Sequence, residues 1–143
     1  MTKPLPPEAS WLSPYLTVKD VTKAVAFYKQ AFQFIIKTVV PDEKGVDTHA
    51  EMYYRDQFLM CGKEGAHGSN LKAPQTSGIP CPITLYLYTD NIDEFYQAAL
   101  KQGAQSISAP ENMFWGDRMC RLQDPDAYIW CFATYLGENE KNK

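Results

Sequence analysis

Residues 47–54 read DTHAEMYY. Strand-like alternation sets His49 and Glu51 two positions apart, on one face of an extended segment. An imidazole and a carboxylate so related can share a divalent cation, or serve as a general base toward a C–H or O–H within hydrogen-bond reach. The plainer alternative is a solvated pair, bonded to each other or to Arg118. If the RDQ turn that follows is tight, with an even loop, Phe58 and Met60 share that face. The same count across the later DPDA turn puts Arg118, Cys120 and Leu122 on the face of Ile129 and Cys131. Cys131 then becomes a softer third ligand beside His49 and Glu51, or a nucleophile if His49 lowers its pKa; an inert buried thiol is the competing reading. Arg118 addresses an anionic or carbonyl oxygen, or else pairs with Asp117 or Asp124 and merely holds its loop. The lone His67, among Gly and Ser, reads as solvated.

The composition excludes several classes. With a net charge of −3 and no clustered basic face, no nucleic-acid footprint is expected. No apolar run is long enough to span a membrane, and MTKPLPPEAS lacks the order of a secretion signal, so the cytoplasm is expected. The four cysteines, Cys61, Cys81, Cys120 and Cys131, show neither CxxC nor zinc-finger spacing and are read as reduced thiols. Aromatic residues are 13% of the chain and gather in the alternating segments, where they suit either sheet packing or a wall with hydrogen-bonding tips.

The elements that position these residues follow from periodicity. Residues 1–12, with Pro4, Pro6 and Pro7, form an arm. Residues 13–18 read as a strand, and Asp20 caps a helix whose stripe is Val21, Ala24, Val25, Tyr28, Ala31 and Phe32. FIIKTVV, DTHAEMYY and FLMCG are three further strands, which closes a first unit over 13–62. Residues 63–82, rich in Gly, Pro, Ser and Asn, make a mobile linker with neither a Walker motif nor GxGxxG. The pattern then restarts over 83–136: strand 84–89, a helix capped at Asp90 or Asn91 with Ile92, Phe95, Tyr96 and Ala99 inward, and strands 105–109, 118–123 and 128–135. A polar tail fills 137–143. An offset of 71 lays Tyr15 on Tyr86, Leu16 on Leu87, Val21 on Ile92 and Met60 on Cys131. The fold class is therefore α+β, two βαβββ modules pairing into a curved mixed sheet around a central cavity.

LTVKDVTKAVAFYKQAF resembles the opening signature of the vicinal oxygen chelate superfamily, which includes glyoxalase I, bleomycin and fosfomycin resistance proteins and extradiol dioxygenases. FWGDRMCRLQDPDAYIWCFAT is similar to the closing signature of its PhnB-like branch, except that Ala127 stands where that family usually has Gly. The resemblance implies four metal-ligand positions, here Ser13, Met60, Thr84 and Cys131. None is His or carboxylate, so no metal and no cofactor are expected, with a divalent ion on His49 and Glu51 as the alternative. It also implies a cavity wall of Tyr15, Thr17, His49, Glu51, Met60, Tyr86, Tyr88, Arg118 and Cys131, with Trp115 near the rim. The expected function is binding of a small, partly aromatic or anionic organic molecule by a homodimer. The alternative is an atypical lyase, isomerase or dioxygenase using His49 and Glu51, and a fold kept for assembly is a third reading. Whether the modules pair within one chain or across two stays open.

Overall fold

The computed structural model describes residues 3–137. The first module runs β1 (Tyr15–Val18), α1 (Val21–Phe32), β2 (Ile35–Pro41), β3 (Asp47–Tyr54) and β4 (Gln57–Lys63). A 3₁₀ turn (Ala66–Gly68) and the one-turn α2 (Pro74–Ser77) interrupt the linker. The second module runs β5 (Leu85–Tyr88), α3 (Ile92–Lys101), β6 (Gln105–Asn112), β7 (Asp117–Gln123) and β8 (Ile129–Tyr135). The expected tail lies outside the described residues, except Gly137.

Each module is one four-stranded sheet, ordered β1-β4-β3-β2 and β5-β8-β7-β6. In both, the first strand lies parallel to the last, because the helix carries the chain across before the meander returns. The repeat holds at register level: Tyr15 lies beside Met60 in one sheet and Tyr86 beside Cys131 in the other.

The helices form where their caps allow. The Asp20 carboxylate accepts from the Lys23 N–H at 2.9 Å, and Asn91 does the same for Glu94 at 3.3 Å. Asp93 and Glu94 add charge of the favourable sign in the first turn of α3. Phe27, rather than Val25, joins the buried stripe of α1. The exits differ. α3 leaves through Gly103 at φ 100°, whereas α1 leaves through Gln33 at φ 62°, a left-handed conformation that costs a side chain on the order of 1 kcal/mol.

One apolar core joins the modules on the helix side of both sheets. The Phe32 ring of α1 lies 4.8 Å from Phe132 and 6.3 Å from Phe95, centroid to centroid. Polar ties reinforce the junction. The Tyr28 hydroxyl donates to Asp124 at 2.6 Å, and Trp130 Nε1 donates to the same oxygen at 2.9 Å. The Tyr128 hydroxyl donates to the Thr17 carbonyl and accepts from the Thr17 N–H, which covers the open edge of β1. The linker is likewise held. Glu64 accepts from the Ala73 N–H and the Thr76 hydroxyl, and the Gln75 N–H donates to the Asp126 carbonyl. These contacts tie the linker to the end of β4 and to the turn at Asp126.

Candidate functional site

With the helix side of each sheet buried, the other side stays open. On the first sheet, Glu51 lies opposite Met60, and His49 opposite Gly62. The two-residue loop Arg55–Asp56 is even, so the expected facing of His49, Glu51, Phe58 and Met60 is observed. Tyr15 and Thr17 lie on the same side, Tyr15 being 52% exposed. The Tyr15 hydroxyl is 3.0 Å from His49 Nδ1, and His49 Nε2 is 3.4 Å from Glu51 Oε2. An ionised carboxylate only accepts, so the tautomer facing Glu51 carries its proton on Nε2 and leaves Nδ1 to accept from Tyr15. Burial, and then Cys61, push the Tyr15 pKa up, so this hydroxyl stays protonated at neutral pH. Gly62 leaves room for the Tyr15 ring, since a Cβ there would meet the Tyr15 hydroxyl at 2.8 Å and push that side chain aside.

On the second sheet the arrangement differs. Tyr86 and Tyr88 of β5 lean toward Asp117, at the start of β7. Asp117 Oδ2 accepts from Tyr86 at 2.5 Å, from Tyr88 at 2.9 Å and from Trp115 Nε1 at 2.9 Å. Trp115 Nε1 is also 3.2 Å from the Tyr86 oxygen. Asp117 is 2% exposed, covered by rings that are themselves 40–52% exposed. Burial, followed by the hydrogen bond to Asp117, pushes the Tyr86 pKa well up; for Tyr88 the hydrogen bond is the larger cause. Both hydroxyls are therefore spent on Asp117, and the rings are what this face offers.

Arg118 requires correction. It pairs with Thr134 across the β7–β8 ladder, on the side of Cys120, Phe132 and α3. There its guanidinium grips Asp93 at 2.9 and 3.0 Å and Asn112 at 3.0 Å. It is absent from the open face, and it pairs with neither Asp117 nor Asp124. The cause is loop parity. The DPDA turn is a three-residue loop between Asp124 and Tyr128, with Ala127 at φ 68°, so the count across it is odd. Arg121, not Arg118, lies opposite Cys131. Asp117 and Arg121 are thus the residues missed from the sequence. The signal was the family glycine at position 127, which marks the left-handed residue of a three-residue turn.

Cys131 also departs from expectation as a partner of His49 and Glu51. It belongs to the other sheet, 3% exposed, and Met60 occupies the place beside Glu51. Burial raises its thiol pKa, although Arg121 partly opposes this. A nucleophile needs the reverse. Cys61 and Cys120 are pushed up to about 12 by burial.

The four metal positions implied by the resemblance do not fit a hard divalent ion. Met60 and Cys131 offer sulfur, and Cys131 is protonated beside a guanidinium. The Ser13 hydroxyl donates to the Ser10 carbonyl at 3.3 Å, and Thr84 is a neutral alcohol. Oxygen-seeking cations want carboxylates or imidazoles at such positions. Among the described residues, no three His, Cys, Asp or Glu side chains form a group fit to hold a metal ion. None of their helices is long and apolar enough to cross a membrane.

A cleft of about 410 Å³ opens where the β3–β4 hairpin meets β5. Tyr54, Arg55, Phe58, Leu87, Tyr88 and Trp130 are among its lining residues. Tyr86 and Tyr88 are the members of the expected wall that reach it.

The comparisons with known proteins agree with this architecture. A family model described as Glyoxalase/Bleomycin resistance protein/Dioxygenase superfamily matches residues 10–132. An uncharacterized protein of Mycobacterium bovis is 31% identical over 129 residues, covering 89% of this chain and 84% of that one. Among solved structures, TioX from Micromonospora sp. ML1 superposes with a TM-score of 0.73 at 21% identity, over 90% of this chain and 100% of that one. TnmS3, described as an antibiotic binding protein from Streptomyces sp. CB03234, gives 0.64 at 21% identity, over 86% and 93%. The doubled βαβββ frame, its register and the matched span together establish that the chain belongs to the glyoxalase/bleomycin resistance protein/dioxygenase superfamily.

Proposed function

We propose that this chain binds a small, partly aromatic or anionic organic molecule against its open sheet faces, without a hard divalent metal. One observation carries the reading: large amphipathic side chains stand exposed on both faces, with Tyr15 52%, Tyr86 40% and Trp115 41% accessible. Large amphipathic side chains exposed in the same register of both sheets suit a surface that receives a ligand. Arg121, two strands from Tyr86, is the cation that would receive an anionic group. The description of TnmS3 as antibiotic-binding accords with a ligand of this size. We assign the chain to the PhnB-like branch on its closing motif, and to the cytoplasm on its four free thiols.

The covering partner is a second copy. Both open faces point away from the shared helical core, so two chains paired crosswise would oppose the first face of each to the second face of the other. Light scattering at micromolar concentration should show a dimer; a species of 16.3 kDa would overturn this part.

The binding test is a fluorescence titration with a panel of aromatic acids and neutral aromatics, repeated on Tyr15→Ala and Tyr86→Ala. Saturable binding weakened by both substitutions is expected. If all probes fail to bind, or both variants bind as the parent does, the reading is wrong.

A second reading has its own observation, the chain of contacts from Glu51 through His49 to Tyr15. Such a chain passes a proton between a carboxylate and a phenol, as an atypical isomerase or lyase would need. Turnover of a bound probe lost in His49→Gln, with binding retained, would favour it.

A further inference from the structure

Asp117 is nearly sealed from water, at 2% exposed, yet among the described residues no Lys, Arg or His pairs with it. Arg118, next in sequence, faces the other way and is held by Asp93. Arg121 shares the side of Asp117 but lies four residues along β7, opposite Cys131. Three neutral donors, all aromatic, answer the charge through a single oxygen. A phenol or indole that donates to a carboxylate gains electron density, which makes its ring face more attractive to a cation. The polar edges of Tyr86, Tyr88 and Trp115 are turned inward to Asp117, while much of each side chain remains exposed.

We infer that the second module's open face holds a subsite for an organic cation, an alkyl- or arylammonium, resting on Tyr86, Tyr88 and Trp115 above Asp117. The chemistry is that of an aromatic cage with a buried counter-charge. A hydrogen-bonding ligand would find the two hydroxyls already engaged; a cation needs only the ring faces and the field of the carboxylate. The first module has no equivalent, since Tyr15 there meets a histidine. The inference rests on the reading of the open faces as ligand-binding, and it adds the sign of one ligand group.

The test compares phenyltrimethylammonium with its neutral isostere tert-butylbenzene on the full chain. The ammonium keeps its charge at every pH, so titration of the probe does not enter. The expected result is at least tenfold tighter binding of the ammonium, with that preference lost in Asp117→Asn, whose amide oxygen can still accept from the tyrosines. Trp115→Leu, which leaves the carboxylate in place, should weaken the ammonium more than the isostere. Equal binding of the two probes, or an undiminished preference in Asp117→Asn, overturns the cation subsite. If the ammonium fails while the aromatic acids bind, only this inference falls; if no probe of either kind binds, the ligand-binding reading falls with it.

Discussion

The two modules agree on the side turned toward their helices and diverge on the side turned away. Leu59 and Trp130, Cys61 and Phe132, Met52 and Leu122, Ala50 and Cys120 occupy matching places, and all are buried and apolar. On the open side, Tyr15 matches Tyr86 and Met60 matches Cys131, but Glu51 matches Arg121 and His49 matches Met119. One face carries a Tyr–His–Glu chain, the other a carboxylate ringed by aromatics. At these matched places only apolar shape changes, because a buried polar group without a partner is costly; the buried carboxylate of Asp124 at the junction is answered by four donors. The open side is free to exchange charge, and the specificity of the site lies in that freedom.

The largest effect should come from severing the junction that makes the two modules one core. Asp124 is 3% exposed and accepts from Tyr28, Trp130 and the backbone of Asp126 and Tyr128. Asp124→Ala leaves all four donors unanswered and should cost on the order of 3–5 kcal/mol, read from the urea midpoint. A loss under about 1 kcal/mol would mean that the modules are locked elsewhere.

Next comes the contrast between the open faces. Tyr86→Phe removes a hydrogen bond to a buried carboxylate and should cost about 1.5–3 kcal/mol. Tyr15→Phe removes a contact on an exposed face and should stay within about 0.5 kcal/mol. Equal costs in thermal melts would erase the distinction drawn between the faces.

The smallest effect concerns pH. Burial pushes the Asp126 carboxyl up to about 6, against the Lys19 N–H that it accepts. A carboxyl raised on folding binds its proton more tightly in the native state. Its contribution is full below the ordinary carboxylate range and is lost as pH rises through 6. Asp126→Asn keeps an acceptor for Lys19 and has no charge to bury. Its Tm should match the parent near pH 4 and exceed it by a few degrees at pH 7.5. A constant difference across that range would show that Asp126 does not titrate as described.

Much of this was legible from residue order. The 71-residue offset is borne out as a shared strand register, and Asp20 caps α1 as its position suggested. His49, Glu51 and Met60 share one face, as alternation predicts, because a two-residue loop preserves the count. Arg118 departs from the face that alternation predicts, and Asp117 and Arg121 take its side, because one left-handed residue at Ala127 makes the other loop odd. A one-residue change in parity turns every side chain of a strand over. The tyrosine hydroxyls were legible as polar tips, but their partners, 29 to 34 residues away, were not.

By itself the sequence determined the repeated unit, the elements within it and the apolar stripe that each buries, because these follow from local period and capping. Only the tertiary structure decided which polar groups meet on the open faces, and that both faces turn outward from one helical core. Those outcomes depend on loop parity, on side chains reaching across strands and on the docking of α1 against α3, none of which has a local period to read.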